Sequence, residues 1–196
     1  LYGGDFGMRG GSFQASLPVG KFKQNIAVSH DASDGHWYNS DYSINTLFYE
    51  AGIALTNTQE IKTMLSFANR DFGANGFYTS SFPDQWESVQ TSLAAISHAL
   101  EAGNIYLQTR AYWRSNKDEF RLKRNDPSFF QNQHTTNVYA IEINGRQDTF
   151  PWCRVRLSTQ FMAENLCQFW YELPNPYLHR PLLRRPNQYR QRSAKT

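Results

Sequence analysis

The sequence predicts an all-β chain, an antiparallel, up-and-down sheet of about seven strands. Three observations carry this. Several segments alternate singly between apolar and polar residues. The connections between those segments run short, long, short, long in succession. No run approaches the ~18–20 apolar residues that a transmembrane helix needs.

The alternation is plainest over 105–114. Ile105, Leu107, Thr109, Ala111 and Trp113 share one side of an extended strand, and Tyr106, Gln108, Arg110, Tyr112 and Arg114 the other. Ile61, Thr63, Leu65 and Phe67 stand likewise opposite Lys62, Met64, Ser66, Ala68 and Arg70. The same pattern places Val89, Thr91, Leu93 and Ala95 on the apolar side, opposite Ser88, Gln90, Ser92 and Ala94. Strands of this kind want apolar surroundings on one face and a wet, partly charged space on the other.

In chain order, Ser12–Leu17 closes at a tight turn over Pro18–Lys21, and Phe22–Ser29 runs into the long connection His30–Asp41. Ser43–Leu55 ends at the short Thr56–Gln59, and Ile61–Ala68 opens into the long Asn69–Asp84. Glu87–Ser97 turns over Leu100–Gly103 into Ile105–Arg114, and the long Ser115–His134 leads to Thr136–Asn144. All tight turns therefore fall at one end of the sheet and all long loops at the other, the asymmetry of a bacterial transmembrane β-barrel with its short periplasmic turns and long external loops. A mean hydropathy of -0.65 would class such a chain as soluble, because half of every barrel strand is polar.

Seven strands is an odd number, whereas single-chain bacterial barrels close with an even one. The expectation is an arc of a larger barrel, which alone would not insert stably, since each unpaired backbone group in lipid costs several kcal/mol. The first residues, Leu1 to Asp5, show neither a basic start nor an apolar signal core. Export information is expected to have been removed, or the chain to be an internal piece of something longer.

Residues 1–146 form this partial barrel, and near residue 147 the character changes. Residues 151–196 hold eight Lys or Arg against Glu164 and Glu172, with five of the eight prolines and both cysteines. The reading is an irregular basic tail over 147–196, either disordered or non-native through a shift of reading frame, ahead of a nucleic-acid arm. Cys153 and Cys167 lack a C-x-x-C or a nearby His pair, so they read as incidental thiols. No G-x-S-x-G, H-E-x-x-H or P-loop occurs, and Asp118 and Glu119 are adjacent, hence on opposite faces of a strand. An enzymatic function and a bound cofactor are not expected.

Polar clusters on the long connections supply candidate contacts. His30, Asp31, Asp34 and His36 have metal-ligating chemistry, although Ser33-Asp34-Gly35 reads as a turn and favours a solvated loop. Phe120, Arg121, Lys123, Arg124, Phe129 and Phe130 interleave bases and rings, as a loop touching a ligand or lipopolysaccharide would. Trp113, Tyr112, Trp86 and Tyr78 lie where an aromatic girdle belongs. The candidate ligand contacts are His36, Trp37, Phe77, Tyr78, Arg121, Arg124 and Phe130, with no metal or catalytic residue among them.

Two segments carry a family resemblance. Asp71-Phe72-Gly73-Ala74-Asn75-Gly76-Phe77-Tyr78, continuing to Phe82-Pro83-Asp84-Gln85-Trp86-Glu87, is similar to an F-G-A-N-x-F-Y then aromatic-P-x-Q-aromatic-E pattern. Arg124-Asn125-Asp126-Pro127, with Phe130, Asn132, His134 and Val138, resembles R-x-x-P-x-x-Y-x-N-x-H-x-x-x-V, Phe130 standing where Tyr is usual. Both belong to TonB-dependent outer-membrane receptors of Bacteroidetes, of the cobalamin and siderophore receptor type. The resemblance implies a location in the bacterial cell outer membrane, contact with its lipid and lipopolysaccharide, and passage of a scarce small solute. It also implies coupling to TonB through a plug domain, for which these residues show no candidate, and no nucleic acid. The competing reading from another class is a soluble all-β carbohydrate-binding module acting through Trp37, Tyr38 and Tyr42.

Overall fold

The computed structural model describes residues 1–150 and 153–171. They form one antiparallel sheet of nine strands: β1 (Tyr2–Gly3), β2 (Arg9–Val19), β3 (Phe22–Ser33), β4 (Tyr42–Ala54), β5 (Gln59–Gly73), β6 (Trp86–Ala102), β7 (Ile105–Arg121), β8 (Gln131–Phe150) and β9 (Cys153–Tyr171). Spatial order follows sequence order from β1 to β9, so every connection joins neighbours. The sheet is all-β and up-and-down, as expected. Among the described residues it is not closed, β1 and β9 forming its two edges.

The strands reach well into the expected long connections. β5, β6 and β7 extend to Gly73, back to Trp86 and on to Arg121, which leaves loops of Asp34–Asp41, Ala74–Gln85 and Leu122–Phe130. Their upper portions carry mostly polar residues on both faces, interrupted by Phe72, Trp86, Val89 and Phe120, and alternation carries little signal there. At the opposite end, Gly20-Lys21 and Gly103-Asn104 make two-residue turns, with Gly20 and Gly103 both at φ 60°. That left-handed backbone costs a residue with a Cβ and suits glycine in a tight hairpin.

Two readings are corrected by the register. Directly paired residues share a face. Leu65 pairs with Ala94, Thr63 with Ile96 and Ser66 with Leu93, and Ala94 and Ile96 pair onward with Trp113 and Ala111. The even residues of β6 therefore join the apolar face, and Val89, Thr91, Leu93 and Ala95 join the polar one, the reverse of the expected assignment. In this strand Ser92 to Ala95 offer little contrast between faces, and the neighbours' stronger patterns fix the register. The second correction concerns the tail. β8 runs to Phe150 and β9 follows it in the ladder, so strand structure continues past residue 147. Val155, Leu157, Thr159, Phe161 and Ala163 alternate with Arg154, Arg156, Ser158 and Gln160, a pattern hidden by averaging composition over the whole tail. Residues 172–196 lie outside the described set.

Tracing the pairs across the sheet gives one continuous apolar face. It carries Phe13 and Leu17 of β2, Ile26 and Val28 of β3, Leu47 and Ile53 of β4, Leu65 and Phe67 of β5, Ile96 of β6, Leu107 of β7, Ile141 of β8 and Phe161 of β9. These side chains are not packed away: Phe13 is 61% exposed, Ile96 52% and Phe161 66%. A single-layer sheet has nothing of its own with which to cover such a face. The buried apolar residues among those described are all small or medium, Ala32, Ala74, Val138 and Ala140. The opposite face carries Lys62, Ser66, Gln108, Arg110, Arg114 and Glu142, with an Arg110–Glu142 pair at 3.6 Å across β7 and β8.

Candidate functional site: the long-loop rim

The three long loops gather at one end of the sheet and are tied together by polar side chains. Gln85, fully buried at the last position of loop 74–85, is the hub. Its Oε1 accepts from the Tyr78 amide at 3.0 Å and its Nε2 donates to the Thr79 carbonyl at 3.0 Å, closing loop 74–85 on itself. Its backbone carbonyl accepts from the Ala74 amide at 2.9 Å and from Asn39 Nδ2 at 2.6 Å. Asn39 thereby joins loop 34–41 to loop 74–85, reinforced by its Nδ2 bond to the Pro83 carbonyl and by the Asn75 amide donating to its own carbonyl.

Asn39 sits at φ 52°, a left-handed position that asparagine tolerates better than most side chains. It presses against Gly73, where an added Cβ would lie 2.5 Å from the Asn39 carbonyl oxygen. The third loop is clasped by Arg124, whose guanidinium donates to both Asp41 carboxylate oxygens at 2.6 and 2.8 Å, in the bidentate geometry that makes such pairs specific. The Arg124 amide also donates to the Asp84 carbonyl at 2.8 Å. Arg124 holds the Asp41 carboxyl below the usual carboxylate range chiefly by this hydrogen bond, which outweighs the opposing effect of burial. The Arg124 pKa moves up in return.

Of the expected ligand contacts, Arg124 is therefore a clasp between loops. Arg121 is also engaged, stacking 4.5 Å over the Trp86 ring and pairing with Glu119 at 2.6 Å. His36 lies edge-on between the Phe6 and Trp37 rings, at 5.8 and 5.6 Å, so Trp37 and His36 form a small aromatic group of their own. Phe77, Tyr78 and Phe130 are brought together through a residue the ligand set left out, Phe120 of β7. The ring centroids are 5.0 Å from Phe77 to Tyr78, 4.7 Å from Tyr78 to Phe120 and 6.3 Å from Phe120 to Phe130. Phe77 and Tyr78 remain open, 78% and 57% exposed. The Tyr78 hydroxyl donates to Glu87 at 2.9 Å, and burial followed by that bond raises its pKa, so it stays a donor.

His30, Asp31, Asp34 and His36 do not converge on a common centre. His30 bonds Asn45 at 2.8 Å and Asp34 pairs with Arg9 at 3.3 Å. Among the described residues no three His, Cys, Asp or Glu side chains are placed to hold a metal ion. The expected girdle also separates: Tyr112 and Trp113 are mid-strand on opposite faces, Trp86 lies under Arg121, and Tyr78 belongs to the ring cluster.

Sequence reasoning missed Gln85, Asn39 and Asp41 as organisers of the rim. Gln85 stood inside a quoted motif, and a lone amide between Asp84 and Trp86 in a polar loop was a signal of a buried hydrogen-bonding role. Asp41 offered none, since its partner lies 83 residues away. A scan against protein-family models and a search of the curated proteins each found no match.

Proposed function

We propose that this chain supplies an arc of a bacterial outer-membrane barrel of the TonB-dependent receptor kind, which in intact form takes a scarce solute such as cobalamin or an iron siderophore at its external loops. The observation that carries the reading is the shape of the apolar face. It is continuous from β2 to β9 and exposed, and on β4, β5, β7 and β8 it lies in the part of the strand nearer the tight turns. On β7 it runs from Ile105 to Trp113 and then gives way on the same side to Ser115, Lys117, Glu119 and Arg121. At ~3.4 Å per residue and a tilt of about 40°, that stretch rises roughly 21 Å, close to the ~25 Å apolar band of outer-membrane barrels. The rest of the strand would then stand above the bilayer and lift the loops into the external medium.

The other face is polar and would line the lumen. Lipid and lipopolysaccharide are the surroundings this arrangement calls for, and TonB would act only through a plug domain. The soluble carbohydrate-binding sandwich fares less well. A sandwich strand is ordinarily ~3–10 residues, whereas β5 to β8 run 15, 17, 17 and 20. Floatation of the intact protein decides between the two. The receptor reading expects it to rise with outer-membrane lipid, resist alkaline extraction and require detergent. A freely soluble monomer would overturn the reading.

A further inference from the structure

We infer that the ring cluster at the mouth of the polar face is a binding site for an uncharged, hydroxyl-rich solute, a saccharide, packed into the angle between Tyr78 and Phe120. This rests on the receptor reading only in calling that face the lumen, and it puts a neutral saccharide in place of the cobalamin or siderophore named there; the site itself is defined by contacts within the rim. Phe120 is an even residue of β7, on the side of Gln108, Arg110 and Arg114, and its register partners are Glu87 and Asn132. Tyr78 folds over this face, with its ring on Phe120 and its hydroxyl on Glu87. The result is an angled apolar wall, its Tyr78 and Phe120 rings inclined at 69° to each other, open through Phe77 and Tyr78, with acceptors directly beside it.

Below it runs a polar chain on the same face. Thr91 donates to Asn116 at 2.7 Å, Asn116 donates to both Asp118 oxygens at 3.0 and 3.1 Å, and His134 Nδ1 lies 3.9 Å from Asp118. Two buried atoms next to this chain, Asn132 Oδ1 and His134 Nε2, have no hydrogen-bond partner, so unspent polar capacity adjoins the rings. Rings for the apolar face of a sugar, with carboxylates and an amide for its hydroxyls, are the usual construction of a site that fixes a polar solute by few convergent groups.

Charge narrows the class. In the upper rows of this face, Asp31, Glu87 and Asp118 stand against Arg70 and His134. Three cations of the rim are engaged elsewhere, Arg124 on Asp41, Arg121 on Glu119, and Lys123 3.7 Å over the Phe129 ring, which leaves Arg70 against the three carboxylates of this face. Carboxylates beside the wall repel phosphate, sulfate and catecholate groups and leave hydroxyls unaffected.

The test is calorimetry on the detergent-solubilised full-length protein with uncharged hexasaccharides of glucose, mannose and xylose. Their sulfated forms, cyanocobalamin and a ferric catecholate complex complete the set. Expected is binding of at least one neutral sugar, weaker or absent for its sulfated form. Tyr78→Ala and Phe120→Ala should each weaken it by about tenfold, and Tyr78→Phe should retain most of it. Asn125→Ala, exposed and outside the wall, should leave it unchanged and report on folding. Binding of none of the neutral sugars, equal binding of the sulfated form, or indifference to Phe120→Ala would overturn the inference. A protein that needs no detergent would sink the receptor reading while leaving these sugar titrations to be read in buffer.

Discussion

At the scale of single residues, the rim depends on polar side chains whose loss is predictable from their partners. Gln85→Ala strands the Tyr78 amide and the Thr79 carbonyl inside the loop, and leaving such groups unpaired costs about 1–3 kcal/mol. Limited proteolysis should show cleavage between Asn75 and Ser81 rising in step. The Arg124–Asp41 clasp acts more gently, because both side chains are about a third exposed and solvent screens them; after that discount it contributes about 0.5–1 kcal/mol. Its pH dependence has a definite sign. Asp41 titrates below its ordinary value when folded, so the clasp stabilises the rim at and above the ordinary carboxylate pKa and loses effect as pH falls through the lowered one. A fluorophore at Ser81→Cys should gain mobility only at those acid pH values, and Arg124→Ala should be mobile at neutral pH with the acid step flattened. The clasp was not legible in the sequence: its carboxylate and guanidinium sit in loops that only the completed sheet brings together.

At the scale of strands, the two faces make opposite demands, and β6 gives the sharpest check. If the apolar face meets lipid, Arg near mid-strand at Leu65, Ala111 or Ile96 should cost ~2–4 kcal/mol of insertion stability, while Arg at Ser66, Gln108 or Leu93 should be mild. Ile96 against Leu93 is decisive because the local pattern of β6 places Leu93 on the apolar side and the register places Ile96 there. A penalty larger at Leu93 than at Ile96 in a folding assay would refute the register. Strands β5 and β7 were readable directly, since large apolar residues alternate there with Lys62, Arg110 or Arg114. β6 was not, because alanine and serine fit either face and only cross-strand partners choose between them. β9 was readable over 153–163 and was obscured by the prolines and basic residues that follow it.

At the scale of the molecule, the alternation of turn and loop was visible in the sequence and fixes the topology, since antiparallel neighbours reverse at every connection. In cells displaying the intact receptor, cysteines at the exposed positions Ser81 and Asn125 should react with an impermeant thiol reagent, and cysteines at Asn57 and Ala102 should react only once the outer membrane is broken. Labelling of Ala102→Cys in unbroken cells would reverse or abolish the assignment. What the sequence did not disclose is that the loops share their fastenings. Asn39 lies between the first and second loops, and Arg124 holds the third to both through Asp41 and the Asp84 carbonyl. Segments fastened in this way open as one cooperative unit. A protease probing the rim would then meet a single gate with one opening rate: the three loops would be nicked together, and whatever slows the cutting of one would slow the cutting of all.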